Sequence, residues 1–314
     1  MSPAAVMAVG EPQSQPAQGD ARVQPSAMEP KARLYRRMAL DMACTAALGL
    51  AVLLVNVLAR PYRRGFFCDD DSIGYPYKAR VQVSDTVVAV VGLLLPPLVV
   101  LATEATRRGW SARGDAELLG WRPPLWLCRL YCVAGVFVVG AAFSQLVVDS
   151  AKYLVGRLRP HFLDVCQPTH VCSGHEYVVD YTCSGPDAAV IEEARLSFPS
   201  GHAALSFYAA VFTVMYLQAE VTWTGSLVLK HSLQAALVIL AWYTALSRVT
   251  DHMHHWSDVL AGGCIGSLAA VLAVVFMSDL SGRRRTRGGQ ELTALLSKPS
   301  SVYVPAARAE HALP

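Results

Sequence analysis

Six apolar stretches, at about 38–59, 86–106, 125–147, 203–221, 226–246 and 258–277, restrict this chain to a narrow set of folds. Each is long enough for a helix to cross a hydrocarbon core of roughly 30 Å. Buried helices of a soluble protein would carry polar faces, which "AALGLAVLLVNVLA" and "SLAAVLAVVF" do not offer. Composition agrees: 53% of the residues are hydrophobic and 16% are charged, against roughly 25% charged in an average soluble domain. The sequence predicts an all-α integral membrane bundle of six transmembrane helices.

Positive charge orients the bundle, because short cytoplasmic loops carry an excess of Lys and Arg. "KARLYRR" precedes the first stretch, "RRGWSARGDAELLGWRP" joins the second to the third, and "GRRRTR" follows the sixth. With six spans these segments share one side, predicted to be the cytoplasm. The loops at about 60–85, 148–202 and 247–257 then face outside or a lumen. The first of these also carries Arg60, Arg63, Arg64, Lys78 and Arg80, partly offset by Asp69, Asp70 and Asp71.

A net charge of +3 is too small to argue for nucleic acid. Residues 1–30, rich in Pro, Gln, Ala and Ser, read as a disordered cytoplasmic tail. Residues 31–280 read as the membrane domain and 281–314 as a flexible cytoplasmic tail, in which "ELTALLS" has the pattern of a short amphipathic turn. No cleavable signal peptide opens the chain, so the first helix is expected to act as an uncleaved anchor. "RGD" at 113–115 falls in a predicted cytoplasmic loop and is read as chance.

Cys44, Cys128, Cys132 and Cys264 lie in or beside apolar helices, where a thiol is ordinarily a small buried hydrophobe. Cys68, Cys166, Cys172 and Cys183 all lie in predicted outer loops. Four cysteines on an oxidising face suggest disulfides, with three pairings open. Zinc is the weaker reading, since no CxxC pair is present. Asn56, the only asparagine, begins no N-glycosylation sequon.

Three segments carry polar residues that a connecting loop does not require: "KYLVGRLRP" at 152–160, "SFPSGH" at 197–202 and "SRVTDHMHHWSD" at 247–258. All fall at outer helix ends, where a bundle can gather them. Lys152 and Arg159 are two helical turns apart, so a third helix continued to Pro160 would present both from one face to an anion. Arg157 lies off that face and reads as an interfacial cation.

Pro199, Ser200, Gly201 and His202 sit where a helix would begin, with unpartnered N–H groups suited to a phosphate; Gly201 permits close approach and His202 adds a proton donor. His254 and Asp258 are i, i+4, so on a helix the carboxylate could hold one ring nitrogen. Asp251, three residues before His254, could orient the ring equally well, and spacing does not choose between them. His252 and His255 point elsewhere on such a helix and read as interfacial, with a His-rich zinc site the weaker competitor.

The set comprises three cations (Lys152, Arg159, Arg248), a helix N-terminus and two histidines. Phosphoryl transfer uses all of it: cations and N–H donors hold the equatorial oxygens, one histidine attacks, and the other protonates the leaving oxygen. No acidic cluster of the kind that holds magnesium is present, so neither metal nor other cofactor is expected.

Together Lys152, Arg159 and Pro160, then Pro199 to His202, then Ser247, Arg248, His254 and Asp258 resemble the three signature motifs of the type 2 phosphatidic acid phosphatase superfamily. "PYRRGFFCDDDSIGYPYK" at 61–78 and "VGRLRPHFLDVC" at 155–166 are similar to the animal lipid phosphate phosphatases within it. The resemblance covers about residues 31–280. It implies a magnesium-independent membrane phosphatase acting on phosphatidate, lysophosphatidate, ceramide 1-phosphate and sphingosine 1-phosphate.

By the same resemblance, His254 is the nucleophile that forms a phosphohistidine, Asp258 orients it and His202 is the general acid. Lys152, Arg159, Ser200, Gly201 and Arg248 bind phosphate. Two departures stand out: Pro199 replaces the tyrosine usual before SGH among lipid phosphate phosphatases, and the outer-loop sequon common in animal members is missing.

The expected partners are membrane lipid phosphates and the bilayer, and a homo-oligomer is compatible with the sequence. The plasma membrane is the first expectation for location and an internal membrane the second. Rival functions are a sugar-phosphate or polyprenyl-diphosphate phosphatase of the same chemistry, and an inert membrane scaffold of the same fold. A transporter or channel would place its ionisable groups near the bilayer midplane instead.

Overall fold

A computed structural model of the protein describes residues 28–106, 123–221 and 226–277. Most of both tails, the RGD tripeptide and "ELTALLS" lie outside the described residues. Six helices have the length and apolarity of membrane spans: α1 (Met28–Leu58), α2 (Asp85–Ala105), α3 (Leu125–Val155), α6 (Gly201–Glu220), α7 (Leu227–Thr250) and α8 (Trp256–Leu272), the last extended by a π-turn to Met277. All six expected stretches are therefore helical. The protein is a multi-pass integral membrane protein. Two short helices, α4 (Phe162–Cys166) and α5 (Ala188–Glu193), and a two-stranded antiparallel ribbon of β1 (Phe66–Phe67) and β2 (Tyr177–Val178) cover one end.

The centre of the bundle is where small residues let backbones meet. At Gly262 and Gly266 of α8 a Cβ would collide with the carbonyl oxygens of Ser200 and Ala204, so α8 lies directly on the start of α6. In lipid, where apolar side chains gain little by leaving hydrocarbon, such close van der Waals contact is a main source of helix association. Phe137, Tyr208, Phe212 and Tyr216 fill the rest of the core between α3 and α6, and the Tyr208 hydroxyl donates to the Phe137 carbonyl at 2.7 Å.

By contrast, no residue of α1 from Tyr35 to Leu58 is buried. It packs on α3, where the Asn56 amide donates to the Asp149 carboxylate at 2.8 Å and Gln145 donates to the same carboxylate at 2.9 Å. A charge inside a span is costly alone, and these amides give Asp149 its partners.

The covered end has its own small core of Phe66, Ile73, Leu158, Phe162 and Val178. Disulfides Cys68–Cys172 and Cys166–Cys183 tie it together, which selects one of the three pairings left open by sequence. Cys44, Cys128, Cys132 and Cys264 form no disulfide among the described residues; three of them are exposed on the spans rather than buried as expected, which places them at the lipid-facing surface. One group with metal-ligand geometry, Cys68, His170 and Glu176, has its sulfur committed to a disulfide.

Candidate active site

Helix ends at the covered side converge on one cavity of about 240 Å³. Its walls include Lys152, Arg159, Gly201, His202, Arg248 and His254, drawn from all three polar segments. Pockets for whole drug-sized ligands run roughly 300–1,000 Å³, so this one has room for a headgroup rather than a complete lipid. A larger surface hollow beside Arg63 and Arg195 is lined by none of the three polar segments; there Arg195 donates to the Tyr181 hydroxyl at 2.7 Å.

The cations reach the cavity by routes that spacing alone did not reveal. Helix α3 stops at Val155, because Gly156 adopts a left-handed conformation (φ 56°) and its N–H caps the Lys152 carbonyl at 3.0 Å. Lys152 and Arg159 are thus not on a common helix face, as their spacing had suggested. Lys152 projects from the last turn of α3 towards Gly201, where a Cβ would stand 3.5 Å from its Nζ. Arg159 arrives on the following loop, with its N–H bonded to the Ala194 carbonyl at 2.8 Å.

The Arg159 guanidinium pairs with Glu193 at 2.9 Å. Its Nε is the only buried side-chain nitrogen or oxygen among the described residues with no hydrogen-bond partner. Arg248 is buried and held by Asp251, with Nη2 to Oδ2 at 3.0 Å, and the same carboxylate accepts from the Gln82 N–H.

Ser200 is the N-cap of α6, its hydroxyl accepting from the Ala203 N–H and its own N–H donating to the Asp258 carbonyl at 3.0 Å. Pro199 therefore stands just outside the helix, at its entry, since α6 begins at Gly201. His202 is in that first turn. Its Nε2 lies 3.4 Å from Arg248 Nη1 and 3.3 Å from the Asp85 carboxylate.

His254 is 3% exposed, and its Nδ1–H donates to the Ser197 backbone carbonyl at 2.7 Å. A carbonyl only accepts, which fixes the tautomer and leaves the lone pair on Nε2. Burial first, then the Arg159 and Lys152 charges, hold the ring's pKa well below the usual histidine range, so it stays neutral.

Asp258 does not touch this ring. Helix α8 starts at Trp256, after a turn in which His252 takes φ 58°, so His254 and Asp258 are not helical neighbours. The Asp258 carboxylate instead accepts from Arg157, from the Ser197 hydroxyl at 2.6 Å and from the His255 N–H at 3.1 Å. It grips the residue whose carbonyl holds His254.

Arg157 and His255, expected to be interfacial, are partners of this buried carboxylate. His252 stacks on Tyr75 at 4.7 Å, and its carbonyl accepts from His161 at 2.8 Å. Ser197, Asp85 and Glu193 were not singled out from sequence. Ser197 works through a backbone carbonyl that any residue supplies, and Asp85 follows Ser84 at a helix start, where Ser-Asp reads only as a cap.

Similarity to known proteins points the same way. The PAP2 superfamily profile matches residues 133–281. A Drosophila melanogaster protein provisionally named a phosphatidate phosphatase is 38% identical over 278 residues, covering 83% of this chain and 73% of its own. Phospholipid phosphatase 2 of Rattus norvegicus is 39% identical over 272 residues, with coverage of 83% and 93%. The Homo sapiens protein of the same name is 37% identical over 279 residues, with coverage of 87% and 93%. No solved structure matches. With similarity spanning 93% of both phospholipid phosphatase 2 relatives and the three motif segments meeting in one cavity, the chain belongs to the phospholipid phosphatase family of the PAP2 superfamily.

Proposed function

We propose that this protein is a lipid phosphate phosphatase that hydrolyses phosphate monoesters such as phosphatidate, lysophosphatidate, ceramide 1-phosphate and sphingosine 1-phosphate without magnesium. The observation that carries the reading is His254: buried, neutral, with its Nδ1–H committed to Ser197 and its side chain lining the cavity among three cations.

In the proposed reaction His254 Nε2 attacks phosphorus, the bond to the lipid oxygen breaks, and His202 gives that oxygen a proton. Water then attacks the phosphohistidine, returning its proton to His202 and releasing inorganic phosphate. Lys152, Arg159, Arg248 and the Gly201 N–H neutralise the equatorial oxygens, which provides the charge stabilisation that a metal supplies elsewhere, while Ser200, its N–H bonded to the Asp258 carbonyl, sets the start of α6 beside them. The unpartnered Arg159 Nε is a donor that a phosphate oxygen would satisfy. Asp258 acts on His254 at one remove, through Ser197.

A headgroup-sized cavity at the ends of membrane helices favours a substrate whose chains remain in the bilayer over a soluble sugar phosphate. Two disulfides on the same side support an extracellular or luminal site, with both termini cytoplasmic and the plasma membrane as first location. The deciding experiment is phosphate release from phosphatidate in mixed micelles containing EDTA, wild type beside His254→Ala. Release by the wild type alone supports the reading. Release that requires added metal, or that survives in the variant, overturns it.

A further inference from the structure

The Asp85 carboxylate stands at the cavity mouth, on the first turn of α2 and 3.3 Å from His202 Nε2. The same nitrogen lies 3.4 Å from Arg248 Nη1. These neighbours make opposite demands. A guanidinium N–H can bond only to an unprotonated Nε2, whereas a carboxylate can bond only to Nε2–H. The other charged groups lining the cavity are Lys152, Arg159 and Glu193, and Glu193 is paired with Arg159. Lys152, Arg159 and Arg248 share the cavity with this imidazole, and Asp85 is the carboxylate in contact with it.

We propose that Asp85 is a positioning residue that holds His202 in the protonated state from which it donates, and that Arg248 takes over the same nitrogen once the proton has gone. This rests on the phosphatase reading given above. Before reaction the Nε2–H faces Asp85. As the bond from phosphorus to the lipid oxygen breaks, that proton passes to the leaving oxygen and the Nε2 lone pair accepts from Arg248. When water attacks the phosphohistidine, Nε2 takes the water proton and returns to the carboxylate.

The Asp85 side chain is 90% exposed, and in water such a pair is weak. A lipid seated over the mouth displaces that water and strengthens the contact when a proton is needed. An acidic residue in the first turn also suits the dipole of α2, a purely structural role. The two roles differ in what they do to different leaving groups.

The test uses the full-length protein in mixed micelles with two phosphate monoesters of matched chain length. One is an alkyl ester, whose alkoxide needs a proton to leave, and the other an aryl ester, whose phenolate does not. Asp85→Asn is expected to lower kcat on the alkyl ester about tenfold, a part of the roughly 10²–10⁴-fold that general acid catalysis contributes. KM and the aryl-ester rate are expected to stay within about twofold, and Asp85→Glu to restore most of the loss. Equal losses on both esters, or none on the alkyl ester, overturn the proposal. His202→Ala separates the levels. If it fails to discriminate between the esters, the acid assignment falls and this inference with it; if it discriminates and Asp85→Asn does not, only the role of Asp85 falls.

Discussion

Helices α1 and α8 are both apolar enough to cross a membrane, yet they are built into the molecule in opposite ways. Helix α8 buries Asp258, Gly262, Gly263, Gly266 and Ala270 against its neighbours, and its glycines let it touch the backbone of α6 where the PSGH segment begins. Helix α1 buries nothing between Tyr35 and Leu58 and is fastened to α3 by the polar contact of Asn56 with Asp149. Hydropathy says only that a segment crosses. Residue size and the placement of polar groups say whether it also builds the site.

That contrast can be broken by substitution, and the largest effect belongs to the cavity itself. His254→Ala is expected to abolish phosphate release while leaving the protein folded, because it removes the proposed nucleophile from the cavity wall. Retained turnover would move the nucleophile elsewhere.

Asp258→Asn comes next, with a loss of about 100-fold expected in kcat. An amide cannot serve as acceptor for Arg157, the Ser197 hydroxyl and the His255 N–H together, and the carbonyl holding His254 would drift. Ser197→Ala removes the hydroxyl but keeps the carbonyl, so a smaller loss than for Asp258→Asn is expected in the same assay.

Gly262→Val probes the seam that supports the start of α6. Its side chain meets the Ser200 carbonyl, and overpacking of this kind costs about 1–3 kcal/mol. A lowered unfolding temperature together with lowered activity is expected, whereas a neutral result would mean that the seam is looser than its glycines imply. At the small end, Asn56→Ala should cost about 0.6 kcal/mol, the average for an interhelical hydrogen bond in a membrane, with activity changed less than about twofold. A large loss of activity would make α1 part of the site.

One further measurement sharpens the account of His254 without mutation. Burial and the neighbouring cations favour the neutral ring, so its proton should be gained only well below the ordinary histidine value of about 6.5. Nitrogen chemical shifts of histidine-labelled protein should show a neutral Nδ1–H ring persisting as pH falls through that value. A midpoint at or above it would contradict the assignment.

Much of the architecture was legible in advance because a bilayer leaves few options. A run of apolar residues this long must satisfy its backbone internally, so each of the six became a helix over nearly all of its expected stretch. The third ran further than its apolar core, to Val155, because "VVDSAKYLV" still favours helix until Gly156 ends it. The residues of the three motifs were legible for a similar reason: phosphate chemistry needs cations, N–H groups and imidazoles, and these stand out in apolar sequence.

How those residues are connected was not legible. Spacing put Lys152 and Arg159 on one helix, and His254 and Asp258 on another, but both pairs are split by helix ends set by a left-handed glycine and a turn at His252. By itself the sequence determined the spans, the chemical groups and the side of the bundle where they gather, since these follow from local composition. Only the tertiary structure decided that Asp258 reaches His254 through Ser197, that Arg157 and His255 hold Asp258, that Asp85 meets His202, and which cysteines pair. Each of these depends on contacts between segments far apart in the chain, where periodicity carries no information.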